Sequence, residues 1–348
     1  MHLYSPPKPP TFIPIVDLAD TQEAGRPARD RAAQAIHRAC RETGFFYIAN
    51  HGMEQRLIDD QFALAKAFFD LPLEDKMQLA LRKNPASVGY EPIGGQKLDS
   101  QDPTKEAAPP DLKESFNWGA DVPADHPYAV ARYRGYGTNH APALPGFRTQ
   151  MDAYAREMRR LGDLLLELIA RSLDLPDNWF KPFFTSNGGK LRIIKYPPQP
   201  GEAQRNQIGA GAHTDWGGVT LLAQDQIGGL EVRNVAGDWI QAKPIAGTFV
   251  VNIGDLMARW TNGIYNSNLH RVKNNDSAQD RYSIPFFYDA DPLATIEAIP
   301  TCVTPENPAR YAVCTSNEHM ADMFQRSYGF RPGHARSSQT RAGQARAS

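Results

Sequence analysis

The chain has 348 residues, of which 41% are hydrophobic and 22% charged, and its net charge is −1. That length holds one large domain or two small ones with a full core. Near-neutrality gives no reason to expect nucleic acid or an anionic membrane as partner, and no apolar run approaches the roughly 20 residues of a membrane span. Cys40, Cys302 and Cys314 form neither a disulfide framework nor a zinc signature, which suits a reducing compartment. Met1-His2-Leu3-Tyr4 runs into a proline cluster rather than the apolar run of a secretory signal. A soluble, cytoplasmic, monomeric protein acting on a small molecule is expected.

Residues 1–12 are proline-rich and predict an extended arm. Residues 13–18 read as a short strand, with Pro14 favouring an edge position. From 26 to 41, Ala32, Ile36, Ala39 and Cys40 recur at helical spacing, and Thr43-Gly44 stops the helix. Residues 45–48 are a strand by composition. After Asn50-His51-Gly52 a second helix buries Leu57, Ile58, Phe62, Ala65, Phe68 and Phe69, and Pro72 closes it. Residues 84–146 read as irregular and rich in Pro, Gly and Asp. Their aromatic residues argue for order, and a stretch of that length predicts a functional lid. A long helix is predicted over 145–172.

From Lys190 the period changes to two. Strands are predicted over 191–196, 219–224, 229–234, 239–243, 248–253, 270–272, 282–288 and 295–299. Many short strands at this spacing suggest a sandwich or barrel. A helix is predicted over 316–327. Residues 331–348 carry four arginines and no acid and are expected to be a disordered tail. The expected organisation is an N-terminal region over 1–140, with its lid at 84–140, and a long helix plus catalytic core over 141–330.

Two groups carry chemistry. His213 and Asp215 stand two apart, so on an extended segment they share a face. A third ligand must come from another strand, and His270 at a strand start is the candidate. Two imidazoles and one carboxylate with open positions are the ligand set of a non-heme Fe(II) oxygenase. With nine histidines in the chain, a stray His-x-Asp alone means little. Arg281 and Ser283 share a strand face, and a guanidinium beside a hydroxyl suits a carboxylate. From the tripeptide alone a structural ion pair with an internal Asp or Glu is the favoured explanation. Tyr196 ends a strand and could add a hydrogen bond. Packing at a sandwich end is its alternative.

The chain resembles the isopenicillin N synthase-like branch of the Fe(II)/2-oxoglutarate-dependent dioxygenases. The resemblance rests on Thr43-Gly44-Phe45-Phe46-Tyr47-Ile48, Lys195-Tyr196-Pro197-Pro198, Gly211-Ala212-His213-Thr214-Asp215, Val251-Asn252-Ile253-Gly254-Asp255, Asn268-Leu269-His270 and Arg281-Tyr282-Ser283, in that order. It implies a mainly β fold with flanking helices: a double-stranded β-helix (jelly-roll) core. It implies Fe(2+) held by His213, Asp215 and His270, with 2-oxoglutarate held by Arg281, Ser283 and Tyr196. Arg192, on Tyr196's strand face, joins as a weaker pocket candidate. O2 is the co-substrate, ascorbate is a candidate reductant, and succinate and CO2 are released. Hydroxylation, desaturation or cyclisation of the substrate would follow. Tyr90, Phe116 and Phe287 are the candidate substrate contacts, and Glu114 could meet a cationic substrate. The middle segment looks more like bacterial members than plant ones. Competing readings are an oxidase that does without 2-oxoglutarate, an ethylene-forming enzyme, and a catalytically silent binding module.

Overall fold

The computed structural model describes residues 11–21, 26–98, 109–186, 188–199, 207–234 and 236–328. The expected tail over 331–348, and the expected arm apart from residues 11 and 12, lie outside the described residues.

Strand β1 (Ile15–Asp17) pairs in parallel with β2 (Phe45–Ala49) and forms a sheet edge, where Pro14 costs no ladder bond. Between them runs α1 (Arg26–Glu42). It stops as expected: the Thr43 and Gly44 amides both donate to the Ala39 carbonyl, and Gly44 takes a φ of +66° that a side chain would resist. Helix α2 (Gln55–Phe69) buries Ile58, Ala65, Phe68 and Phe69. It ends before Pro72, as expected, at the C-cap Asp70. The fixed φ of that proline caps a further short helix, α3 (Leu73–Gln78).

The stretch predicted as irregular is more regular than its composition suggests. It holds β3 (Gly89–Glu91), β4 (Glu114–Trp118), β5 (Ala120–Asp121), α4 (Pro127–Val130) and β6 (Tyr136–Gly137). Next, α5 (Phe147–Ser172) spans 26 residues, about 39 Å at 1.5 Å each. Its stripe of Met151, Tyr154, Met158, Leu161, Leu165 and Leu168 is fully buried. Gly162 on that helix lets the Tyr288 ring approach to where a side chain's Cβ would lie 2.5 Å from it.

The remaining strands are β7 (Lys190–Tyr196), β8 (Ala210–His213), β9 (Val219–Gln224), β10 (Leu230–Arg233), β11 (Trp239–Gln241) and β12 (Thr248–Ile253). After α6 (Asp255–Trp260) come β13 (His270–Val272), β14 (Arg281–Tyr288), β15 (Thr295–Ile296), β16 (Cys314–Thr315) and α7 (Ser316–Tyr328). The major sheet runs β1-β2-β12-β9-β14-β7-β4-β3, and the minor sheet runs β11-β10-β13-β8. Strands from the first 140 residues therefore extend both ends of the sheet built by the later ones.

Each major-sheet strand divides its side chains by parity. Phe46, Ile48, Leu191, Ile193, Leu221, Phe249, Val251, Ile284 and Phe286 pack against α1, α2 and α5. Phe45, Tyr47, Ile194, Tyr196 and Val250 face inward and meet Ala210, Leu230, Val232 and Val272 of the minor sheet. This is a jelly-roll core: two facing sheets with a lumen between them and helices covering the outer face of the larger one. No helix among the described residues is long and apolar enough to cross a membrane.

Candidate active site

His213 and His270 stand opposite each other on β8 and β13, with ring centroids 4.2 Å apart. Asp215 lies two residues beyond His213 at the strand's end. Ligand-capable atoms of the three residues lie within 4.8 Å of one another. Asp215 Oδ1 is 3.8 Å from His270 Nε2 and 4.0 Å from His213 Nε2.

Each side chain is aimed by a bond from its far side. His213 Nδ1 donates to the Gly211 carbonyl at 2.7 Å, and His270 Nδ1 donates to the Asn268 carbonyl at 3.3 Å. A carbonyl only accepts, so both rings donate through Nδ1 and turn Nε2 towards Asp215. Asp215 Oδ2 accepts from Thr220 Oγ1 at 2.6 Å and from Asn252 Nδ2 at 2.8 Å, leaving Oδ1 facing the imidazoles. Thr220 and Asn252 are register partners on β9 and β12. The major sheet thus steers a carboxylate whose neighbours sit on the minor sheet.

The electrostatics agree with a cation site. Burial, then the adjacent His270, push His213 down to about 3, so its ring is neutral. Burial alone would raise the Asp215 carboxyl. The two imidazoles and the Thr220 and Asn252 bonds outweigh it and hold the group below its usual range. Two imidazole nitrogens and one carboxylate oxygen on one side of an opening are the donor set that suits Fe(II).

Arg281 and Ser283 lie on the luminal face of β14, opposite Tyr196 and Ile194 of β7. Arg281 is only 1% exposed. Its Nε donates to the Gly228 carbonyl, and its guanidinium lies 4.7 Å from the centre of the Tyr196 ring. Nη1 and Nη2 are buried without a hydrogen-bond partner among the described residues. Among those residues no carboxylate reaches the guanidinium at ion-pair distance: Asp225 feels its charge but spends its oxygens on the Tyr282 and Ile227 amides. Tyr196 contributes its ring face beneath the guanidinium.

The other expected contacts divide. Phe287 is half-buried on the luminal face, opposite Thr220 and so beside the support of Asp215. Tyr90 and Phe116 are corrected: they face away from the lumen. Phe116 pairs with Ile193, and both aromatics pack with Phe68 on the helix-covered face. Glu114 belongs to that face too. It is 4% exposed and bonded to Lys76, Lys195 and Tyr90, so it meets no substrate. Arg192 is luminal, but its charge is met by Glu91 at 2.6 Å, with further bonds to Gln96 and Ser115. That pairing removes it from the co-substrate clamp.

Residues 13–143 match the family described as non-haem dioxygenase in morphine synthesis N-terminal, and residues 188–290 match the 2OG-Fe(II) oxygenase superfamily. A 2-oxoglutarate-Fe(II) type oxidoreductase of Emericella nidulans is 34% identical over 92% of this chain and 91% of its own length. The chain belongs to the 2OG-Fe(II) oxygenase superfamily. It is a non-heme iron, 2-oxoglutarate-dependent oxidoreductase. Among solved structures, a 2OG-Fe(II) oxygenase family protein from Caulobacter crescentus superposes with a TM-score of 0.79 at 33% identity, covering 91% of this chain and 99% of that one. A full-length Neurospora crassa protein in complex with alpha-KG and thymine superposes at 0.78 with 29% identity, covering 91% and 97%.

Sequence reasoning missed Thr220 and Asn252 as the support of the carboxylate. Asn252 lay in view within Val251-Asn252-Ile253. An asparagine between β-branched residues on an inward face has to find a partner, and that was the available signal.

Proposed function

We propose that His213, Asp215 and His270 hold the Fe(II) of this oxygenase, and that Arg281, with Ser283 beside it, holds the distal carboxylate of 2-oxoglutarate. The observation that carries this is the Arg281 guanidinium: buried, charged, and unpartnered at both terminal nitrogens among the described residues, in the lumen that the three metal-ligating groups face. A planar fork with two free donors fits a carboxylate. When bound, the iron supplies O2 activation coupled to decarboxylation of the oxo-acid. The chain does the rest. Thr220 and Asn252 fix the carboxylate's orientation, and the two backbone carbonyls fix the orientation of the imidazoles.

The substrate is read as a small molecule with hydrogen-bond acceptors, held on the luminal wall between Phe287 and the Arg192 cluster. Arg192 Nε is buried without a partner among the described residues, which leaves one donor for such a molecule. The isopenicillin N synthase-like branch remains the reading for the finer family. The test is anaerobic titration of the protein with Fe(II) and 2-oxoglutarate, followed by a metabolite screen for substrate-stimulated succinate release. Saturable binding of both, at one each per chain, is expected. Succinate release that survives in His213→Ala or Asp215→Ala would overturn the ligand assignment.

A further inference from the structure

The clearest feature outside the described machinery is a buried ion pair between Asp111 and Lys113, with side chains 4% and 3% exposed. Both lie just before β4. Asp111 Oδ2 accepts from Lys113 Nζ at 2.8 Å. Its Oδ1 accepts from the backbone amide of Gly211 at 3.0 Å, across 100 residues of sequence. Gly211 sits where β8 departs from regular pairing. His270 pairs with His213 and Val272 with Ala210, so β8 carries one residue more than β13 between them. An extra residue of this kind loses its ladder partners. Asp111 supplies the acceptor for its amide, while the Gly211 carbonyl takes the His213 Nδ1 proton.

We propose that Asp111 is a positioning residue for the metal centre: it grips Gly211, and Gly211 aims His213, with Lys113 neutralising the carboxylate. The proposal rests on the reading of His213 as a metal ligand. A buried pair of this kind adds little to stability, since desolvation offsets its attraction. A charged acceptor does, however, make a stronger and more directional bond to an amide than a neutral one. The segment is also held on its other side. The Asp111 amide donates to the Gln96 carbonyl, and the Leu112 amide donates to the Ile208 carbonyl at the approach to β8. Gln96 is in turn a partner of Arg192. Asp111 therefore stands between the polar luminal cluster and the metal-bearing strand.

The test uses Co(II) as a spectroscopic probe on the full chain, with no turnover involved. Asp111→Asn, made together with Lys113→Met so that no charge is stranded, keeps an acceptor oxygen towards Gly211. The double variant Asp111→Leu/Lys113→Met removes the grip while leaving no stranded charge. Co(II) affinity of Asp111→Asn/Lys113→Met is expected within about threefold of wild type. Asp111→Leu/Lys113→Met is expected to lose about tenfold, in the lower part of the range for outer partners of metal ligands, and to show an altered ligand-field spectrum. Asp111→Ser/Lys113→Met, a smaller change that also strands no charge and is too short to reach Gly211, carries the same expectation and decides the matter where Asp111→Leu/Lys113→Met does not fold. Wild-type affinity and spectrum in the grip-free variant would overturn the positioning role alone. Failure of the wild-type chain to bind Co(II) would overturn the metal-site reading and this proposal with it.

Discussion

Replacing Arg281 with methionine should separate ligand binding from folding. In the absence of ligand the guanidinium is 1% exposed, with Nη1 and Nη2 unpartnered among the described residues and one bond, from Nε to the Gly228 carbonyl. A buried donor left unsatisfied costs about 1–3 kcal/mol, more when charged. Methionine fills similar length without polar atoms, so its removal of that cost offsets the lost Gly228 bond. The ligand-free variant should melt within a few degrees of wild type or above it. With 2-oxoglutarate bound, wild type gains two charge-assisted bonds of about 1.5–3 kcal/mol each. Their sum, about 3–6 kcal/mol, corresponds to roughly 10²–10⁴ in affinity. Calorimetric titration of the anaerobic Fe(II) protein reads the affinity, and differential scanning calorimetry with and without 2-oxoglutarate reads the stability. At a hundredfold excess over its dissociation constant the ligand should stabilise wild type by about 2.7 kcal/mol and leave the variant unmoved. An affinity within threefold of wild type, or a ligand-free variant that unfolds, would refute the reasoning. Arg281→Lys should recover only part of the loss, because an ammonium lacks the planar fork.

Thr220→Val removes one of two bonds to Asp215 Oδ2 while keeping the strand's shape, and should weaken Fe(II) binding about 10–100-fold with little change in melting temperature. Unchanged metal affinity would show that Asn252 alone orients the carboxylate. Gly254→Ala would set a methyl against the Gly217 carbonyl and 3.0 Å from that of Asp215. It should lower metal occupancy, read by bound iron per chain, and full occupancy would count against that crowding. Acidification tests the depressed His213. The unfolded chain takes up a proton near the usual 6.5, whereas the folded one resists until about 3. The unfolded state binds more protons between those values, so stability of the metal-free protein should fall as pH drops through that window, by up to about 1.4 kcal/mol per pH unit for one proton. The lowered Asp215 carboxyl adds in the same direction below its usual 3.8. His213→Gln should flatten the slope in denaturant melts, and an unchanged slope would place the acid sensitivity elsewhere.

The legible parts of this protein were those written in local periodicity. α1, α5 and the strands β7, β9, β12 and β14 emerge within a residue or two of where spacing puts them, because each presents one apolar face over several turns or pleats. The hairpin of β3 and β4 was hidden by its proline- and glycine-rich flanks, and β8 by its Ala-Gly-Ala composition. Which face a hairpin side chain occupies depends on register with a distant strand. Tyr90 and Phe116 looked like substrate contacts until pairing of Phe116 with Ile193 turned both towards the helices. Arg192 looked free because Glu91, its counter-charge, lies 101 residues away. The reverse held for Arg281, where the tripeptide favoured an ion pair and the guanidinium makes none among the described residues. The grouping of His213, Asp215 and His270, proposed as the iron ligands, needed only one fact beyond sequence, the antiparallel pairing that sets His270 against His213.

Charge in the lumen then explains why the two halves of the site belong together. Beside the self-compensating Arg192–Glu91 pair, the site among the described residues holds a carboxylate charge at Asp215 and a guanidinium charge at Arg281, with the imidazole of His213 kept neutral. Fe(II) brings two positive charges and 2-oxoglutarate two negative ones. Either alone leaves the low-dielectric interior with an uncompensated double charge, which is costly. Together, in the proposed arrangement of the metal against Asp215 and the distal carboxylate against Arg281, they would restore the original balance. Binding of the two should therefore be positively coupled and reciprocal, at the roughly 5–150-fold typical of such linkage. Anaerobic titration of 2-oxoglutarate with and without Fe(II) measures it. Equal affinities would mean that Arg281 draws the oxo-acid in without the metal, and that the neutrality of the pair has no part in assembling the site.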